Sequence, residues 1–165
     1  MLTLRCTQRL VRRLGSVAQV EPYAPTTALG DWYANVLYTR PRQLILCVSE
    51  RSLLSVLVPA RDPTTFLPRF RETVLSHLTA IGASVQAVAA EGEEMKEIRV
   101  GRTASRSVLG SMRDLALTVQ QELALERWAS LEDLQLHLST FIMGAIGMRY
   151  PCDVALELLQ RPRSK

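Results

Sequence analysis

The residue types and spacing best suited to chemistry fall in one stretch, Gly101-Arg102-Thr103-Ala104-Ser105-Arg106-Ser107-Val108-Leu109-Gly110-Ser111-Met112-Arg113-Asp114. A strand leading through small hydroxylated and basic residues into a helix brings free backbone N–H groups, hydroxyls and guanidinium groups toward one point, a combination that holds an anion. Arg106 and Arg113 are seven apart and share a helix face, and Gly110 lowers the surface between them. Arg102, Ser105, Arg106, Ser107 and Arg113 are therefore the expected anion-binding residues. A purely structural reading stands beside this one. In it Ser105 or Ser107 caps the helix, the arginines are solvated or paired with Asp114 and the acidic residues near Glu93, and Gly110 permits close packing.

A second constellation is Asp31 to Arg42, where alternation puts Trp32, Ala34, Val36 and Tyr38 on one face of a strand and Tyr33, Asn35, Leu37 and Thr39 on the other. Asn35 is out of place there. An amide within a sheet needs hydrogen-bond partners, so Asn35 either holds a neighbouring loop or faces a pocket. Trp32 either fills core or stacks on a ligand.

Other chemistries find little support. The two histidines, His77 and His137, belong to separate expected helices and have no metal-spaced partner, so no metal site is expected. Cys6, Cys47 and Cys152 are odd in number and widely spaced, which fits reduced thiols rather than a disulfide framework. Glu94-Met95-Lys96 spells the E-x-K of one class of metal-dependent nucleases, without a strand-borne aspartate at a persuasive place before it. No phosphate-loop, dinucleotide or serine-hydrolase signature occurs, and no cofactor is expected.

The elements that must position these residues read as α+β. An opening strand, Met1 to Cys6, leads to a short helix with Thr7 as its cap and Gly15 as its stop. Arg5, Arg9, Arg12 and Arg13 without an acid resemble a transit peptide, but the alternation and the cap favour folded structure. Ser16 to Gly30 is an expected loop. Strands at Trp32–Thr39, Gln43–Ser49 and Ser52–Val58 then form a β-meander, the last two apolar on both faces. A helix through Leu67, Phe70, Val74, Leu78 and Ile81 stops at Gly82, and a shorter one starts at Ser84. Glu91 to Glu94 reads as an exposed acidic turn, and Ile98–Gly101 as a further strand. Helices follow from Ser105 with the stripe Val108, Met112, Leu115, Val119 and Leu123, and from Ser130 with Leu131, Leu134, Leu138, Phe141 and Ile142 buried. A last short helix spans Asp153 to Leu159, and the basic tail 161–165 is expected to be disordered. The expectation is one domain, 1–165, with a mainly antiparallel meander sheet of about four to five strands packed by several α-helices.

The net charge of +4 permits nucleic-acid contact without demanding it, and an aromatic content of 5% leaves little for a base-stacking platform. The longest apolar run, Phe141 to Met148, falls far short of the ~20 residues needed to span a membrane. A cytoplasmic location is the expectation.

Nearly the whole chain resembles a prokaryotic domain family of unknown function, of about this length. The likeness is carried by Leu4-Arg5-Cys6-Thr7, by Trp32-Tyr33-Ala34-Asn35 with the apolar strands after it, and above all by Arg106-Ser107-Val108-Leu109-Gly110-Ser111-Met112-Arg113-Asp114. The family pattern has asparagine where this chain has Ser105 or Arg113. The resemblance implies a bacterial, cytoplasmic protein, associated with mobile or plasmid-borne genes, and supplies no activity.

Three functions compete. The first is a binding module engaging nucleic acid or another phosphorylated ligand through residues 101–114. The second is a small enzyme acting on a phosphorylated or acidic substrate, with Ser105, Ser107 or Ser111 at the anion and Asp114 or Asn35 assisting. The third is a protein-interaction subunit with no anion site, self-association included.

Overall fold

A computed structural model of the chain describes residues 1–15 and 23–162. Five strands, β1 (Leu2–Cys6), β2 (Trp32–Leu37), β3 (Leu44–Ser49), β4 (Ser55–Pro59) and β5 (Ile98–Arg102), form one sheet in the order β4-β3-β2-β1-β5. The helices are α1 (Gln8–Leu14), α2 (Phe66–Ala80), α3 (Val85–Glu94), α4 (Arg106–Ala124), α5 (Leu131–Leu138) and α6 (Pro151–Gln160).

The α+β class and the β2-β3-β4 meander agree with the sequence reading, whereas the sheet as a whole is mixed. β1 pairs in parallel with β2, Cys6 opposite Ala34, and also with β5, Cys6 opposite Arg102. Parallel neighbours need a crossover rather than a tight turn. The α1 segment supplies one such connection, and α2 and α3 lie in the chain between the meander and β5. Alternating polarity marks a strand but carries no information about direction, so this part of the topology was not visible in the residue pattern.

Period-two alternation divides the sheet residues between two cores. Leu4, Trp32, Ala34, Cys47 and Val56 join Leu10 of α1 and Phe66, Phe70, Val74 and Leu78 of α2 on one face. Tyr33, Leu37, Leu46, Val48 and Leu57 join Val108, Met112, Leu115 and Val119 of α4 and Leu134 and Leu138 of α5 on the other. Trp32 is thus a core residue, its ring edge-on to Phe70 at 5.5 Å between centroids.

Several boundaries moved for identifiable reasons. The third meander strand starts at Ser55 rather than Ser52, because Leu53 has φ 57 and sits in a tight turn after β3. The residues Glu91 to Glu94 are the last turn of α3, not an exposed turn. Glu91 is fully buried there, its carboxylate accepting the N–H groups of Ala28 and Leu29 at 2.9 and 3.2 Å. α5 ends at Leu138, which leaves Ile142 exposed instead of buried. α6 begins at Pro151, where a proline in the first turn forfeits no helical hydrogen bond. The last three residues of the expected disordered tail, 163–165, and residues 16–22 of the expected loop lie outside the described residues.

The β4 edge of the sheet is guarded by a side chain. Gln135 of α5 is buried, and its amide oxygen accepts the Leu57 N–H at 2.8 Å, satisfying an edge group that would otherwise be open to pairing.

Candidate functional site

The neighbouring parallel strands β1 and β5 are followed by helices on opposite faces of the sheet, α1 against the Trp32 core and α4 against the Tyr33 core. Chains that part in this way leave a crevice at the carboxyl ends of the strands, the usual place for ligands in sheets with parallel strands. Two hydrogen bonds fix its walls. Asn35 Oδ1 accepts the Thr7 hydroxyl at 2.7 Å, tying β2 to the start of α1. Tyr33 Oη accepts the Ser105 N–H at 3.0 Å, tying β2 to the start of α4. Asn35 therefore holds a neighbouring segment, one of the two uses open to it, and Thr7 spends its hydroxyl on Asn35 instead of capping α1.

Ser105 is the N-cap of α4, its side chain accepting the Val108 N–H at 3.3 Å. Arg102, Arg106, Ser107 and Arg113 are all exposed. Among the described residues the ion pairs use Asp31, Glu93, Glu94, Glu97, Glu122 and Glu157, and none engages Arg102, Arg106 or Arg113. The structure keeps Arg106 and Arg113 on one face of α4, about 10.5 Å apart along the axis at 1.5 Å per residue. Gly110 lies between them and is exposed. A Cβ added there would meet nothing within 4 Å, so close packing does not explain this glycine.

A further contrast concerns charge along the strands. Asp31, Glu91, Glu94 and Glu97 gather where β1, β2 and β5 begin: Asp31 accepts from Thr3 N at 2.8 Å and pairs with Arg5 at 2.9 Å, and Glu97 O accepts the Leu2 N–H. Arginines collect toward the opposite end. Arg9 lies 5.9 Å from the Tyr38 ring centre, Arg13 donates to Gln43 and to Ala60 O, and Arg40, Arg42, Arg61 and Arg69 share one cleft. That cleft lies beside β4 and was not anticipated, since its residues come from four separate segments. In the sequence Arg40-Pro41-Arg42 only separates two expected strands.

The remaining candidates are accounted for locally. Lys96 of the E-x-K triplet pairs with Glu93 at 2.6 Å, and the Glu94 carboxylate accepts the Thr26 hydroxyl. Burial pushes the Cys6 thiol up to about 12 and Cys47 well above its ordinary value, which disfavours the nucleophilic thiolate at both. His77 is buried, Nε2 lacks a partner among the described residues, and burial lowers its pKa to about 4. His137 packs against Trp128 at 4.5 Å and, edge-on, against Phe141 at 4.7 Å between ring centroids. Among the described residues no three His, Cys, Asp or Glu side chains are grouped to hold a metal ion, and no helix is long and apolar enough to cross a membrane.

Over residues 3–154 the chain matches the family described as Domain of unknown function (DUF6933), and it belongs to that family. No curated protein and no solved structure matches it.

Proposed function

We propose that the chain is a binding module for phosphate-bearing ligands, nucleic acid foremost, and that the strand-to-helix segment from Arg102 to Arg113 is the contact surface. One observation carries this reading: Arg106 and Arg113 flank a bare, exposed Gly110 on one face of α4, with no ion-pair partner among the described residues. A glycine inside a helix costs about 1 kcal/mol relative to alanine. Here packing returns none of that cost. The bare backbone instead lets a phosphodiester approach the helix surface while two guanidinium groups reach it from either side. Arg102 extends the line toward the helix start, where the free N–H groups favour negative charge.

Fluorescence anisotropy with a labelled 20-base-pair duplex tests the proposal. At about 50 mM salt the duplex should bind and then release as salt rises. Charge reversal in an R106E/R113E variant should weaken binding by about tenfold or more. Absence of binding at low salt, or an unchanged affinity in that variant, would sink the idea.

A further inference from the structure

A cleft of about 720 Å³ opens at the far end of α4 from Arg106, between the end of β4, the first turns of α2, the start of α5 and the Arg40–Arg42 turn. Its size suits a ligand of a few tens of heavy atoms. Leu44, Leu57, Val58 and Leu131 give it apolar wall, and Arg40, Arg42, Arg61 and Arg69 give it four cations against the carboxylates of Glu72 and Glu132.

One of the four cations is fixed before any ligand arrives. Arg69 is pinned by its donations to Pro59 O at 2.6 Å, Asp62 O at 3.2 Å and Thr65 Oγ1 at 3.1 Å. Its guanidinium is held below its ordinary value, first by burial and then by the charge of Arg61 beside it. The Asp62 carboxylate, which accepts from Thr64 N and Thr64 Oγ1 at 3.0 and 2.8 Å, offsets this only in part. Among the described residues Arg40, Arg42 and Arg61 take part in no ion pair. Four cations facing two carboxylates leave the cleft with excess positive charge, which an anion stabilises.

Trp128 adds a flat aromatic wall. Its indole N–H donates to Glu122 at 2.7 Å and its ring rests on His137, so its orientation is fixed. Clustered guanidinium groups, an aromatic plane and nearby carboxylates that accept hydroxyl hydrogen bonds match three parts of one ligand class. We infer that this cleft binds a nucleoside phosphate: the base packs against Trp128 and Leu131, the phosphates face Arg40, Arg42 and Arg61, and the ribose hydroxyls donate to Glu132 or Glu72.

The site is independent of the Arg106–Arg113 surface, and its test separates the two. The full chain is titrated with ADP, adenosine and pyrophosphate by calorimetry, with tryptophan emission followed in parallel. ADP should bind saturably with a dissociation constant of about 1 mM or tighter. Adenosine and pyrophosphate should each bind about tenfold more weakly, and ADP should change the emission of the native chain but not of W128F. R42E/R61E should weaken ADP by about tenfold or more, whereas R42K/R61K, which preserves charge, should lose less. Thermal melting of R42E/R61E shows whether the fold is retained, and the lysine variant serves if it is not. Because R106E/R113E should hold ADP as the native chain does, loss of duplex binding in that variant bears only on the α4 surface. No saturable ADP binding, equal affinity for pyrophosphate and ADP, or an ADP affinity indifferent to both Arg42/Arg61 variants would overturn the assignment.

Discussion

The phenolic oxygen of Tyr33 accepts the backbone N–H of Ser105 at 3.0 Å, so a central strand holds the first residue of the turn into α4. Tyr33 is almost wholly buried, and the bond satisfies one of the donors that a helix start leaves open. Tyr33→Phe keeps the ring and removes the acceptor. It should cost about 1 kcal/mol in urea unfolding. It should also weaken duplex binding beyond what that loss explains, because the start of α4 would no longer be held against β2; an affinity equal to the native chain's would show that this bond does not position the surface.

Gly110 offers a sharper separation of structure from function. With open space where its Cβ would be, Gly110→Ala should stabilise the protein by about 0.5–1 kcal/mol through helix propensity alone. Gly110→Leu should remain folded and yet bind the duplex more weakly than the alanine variant, since its side chain would fill the bare patch. Thermal melts and anisotropy on the same samples decide the matter, and equal affinities for the two variants would remove the glycine from the argument.

Glu91 should behave as a structural carboxylate. Glu91→Ala leaves the Ala28 and Leu29 N–H groups without these acceptors in a buried place, at a cost of about 3 kcal/mol by denaturant unfolding. Glu91→Gln retains one acceptor oxygen and should cost less. Equal losses for the two variants would argue against the hydrogen bonds as the cause.

The pH dependence of stability should carry a mark of His77. Its folded pKa, about 4, lies below the usual 6.5 because burial disfavours the charged ring, so the unfolded chain takes up the proton first. The stabilisation from His77 is therefore complete above about pH 6.5 and is lost as pH falls toward 4, amounting to about 3 kcal/mol at most. Urea unfolding at pH 7 and pH 4.5 should show a smaller difference in His77→Leu than in the native chain. An unchanged pH slope would mean that other groups set it.

Cys6 and Cys47 flank Ala34 from the two neighbouring strands, and two strand spacings put their Cα atoms about 9.5 Å apart, beyond the reach of a disulfide. Thiol labelling of the native protein should therefore modify Cys152 first, and the other two only on unfolding. Rapid modification of Cys6 and Cys47 in the native protein would contradict their burial.

Much of the local structure was legible because each signal has a local cause. Ser84, Ser105 and Ser130 cap the helices they were expected to start, and Gly82 has the positive φ suited to a helix end. The alternation in β2 correctly divided Trp32 from Tyr33. What escaped notice depends on residues distant in the chain. The burial of Glu91 requires the loop at Ala28, 63 positions away, and the guarding of β4 requires Gln135, 78 positions from Leu57. The parallel pairing of β1 was hidden for the same reason. Of the candidate site, the shared face of Arg106 and Arg113 could be read from helical period. The cleft beside β4 could not, because Arg42, Arg61, Arg69 and Trp128 meet only after folding.

The most direct test of the α4 surface is the salt dependence of duplex binding, because it counts phosphate contacts as well as affinity. If Arg102, Arg106 and Arg113 each neutralise one phosphate, log K should fall against log salt with a slope of about −3, and R106E/R113E should reduce that slope by about two. A slope that is the same in native chain and variant would contradict the account.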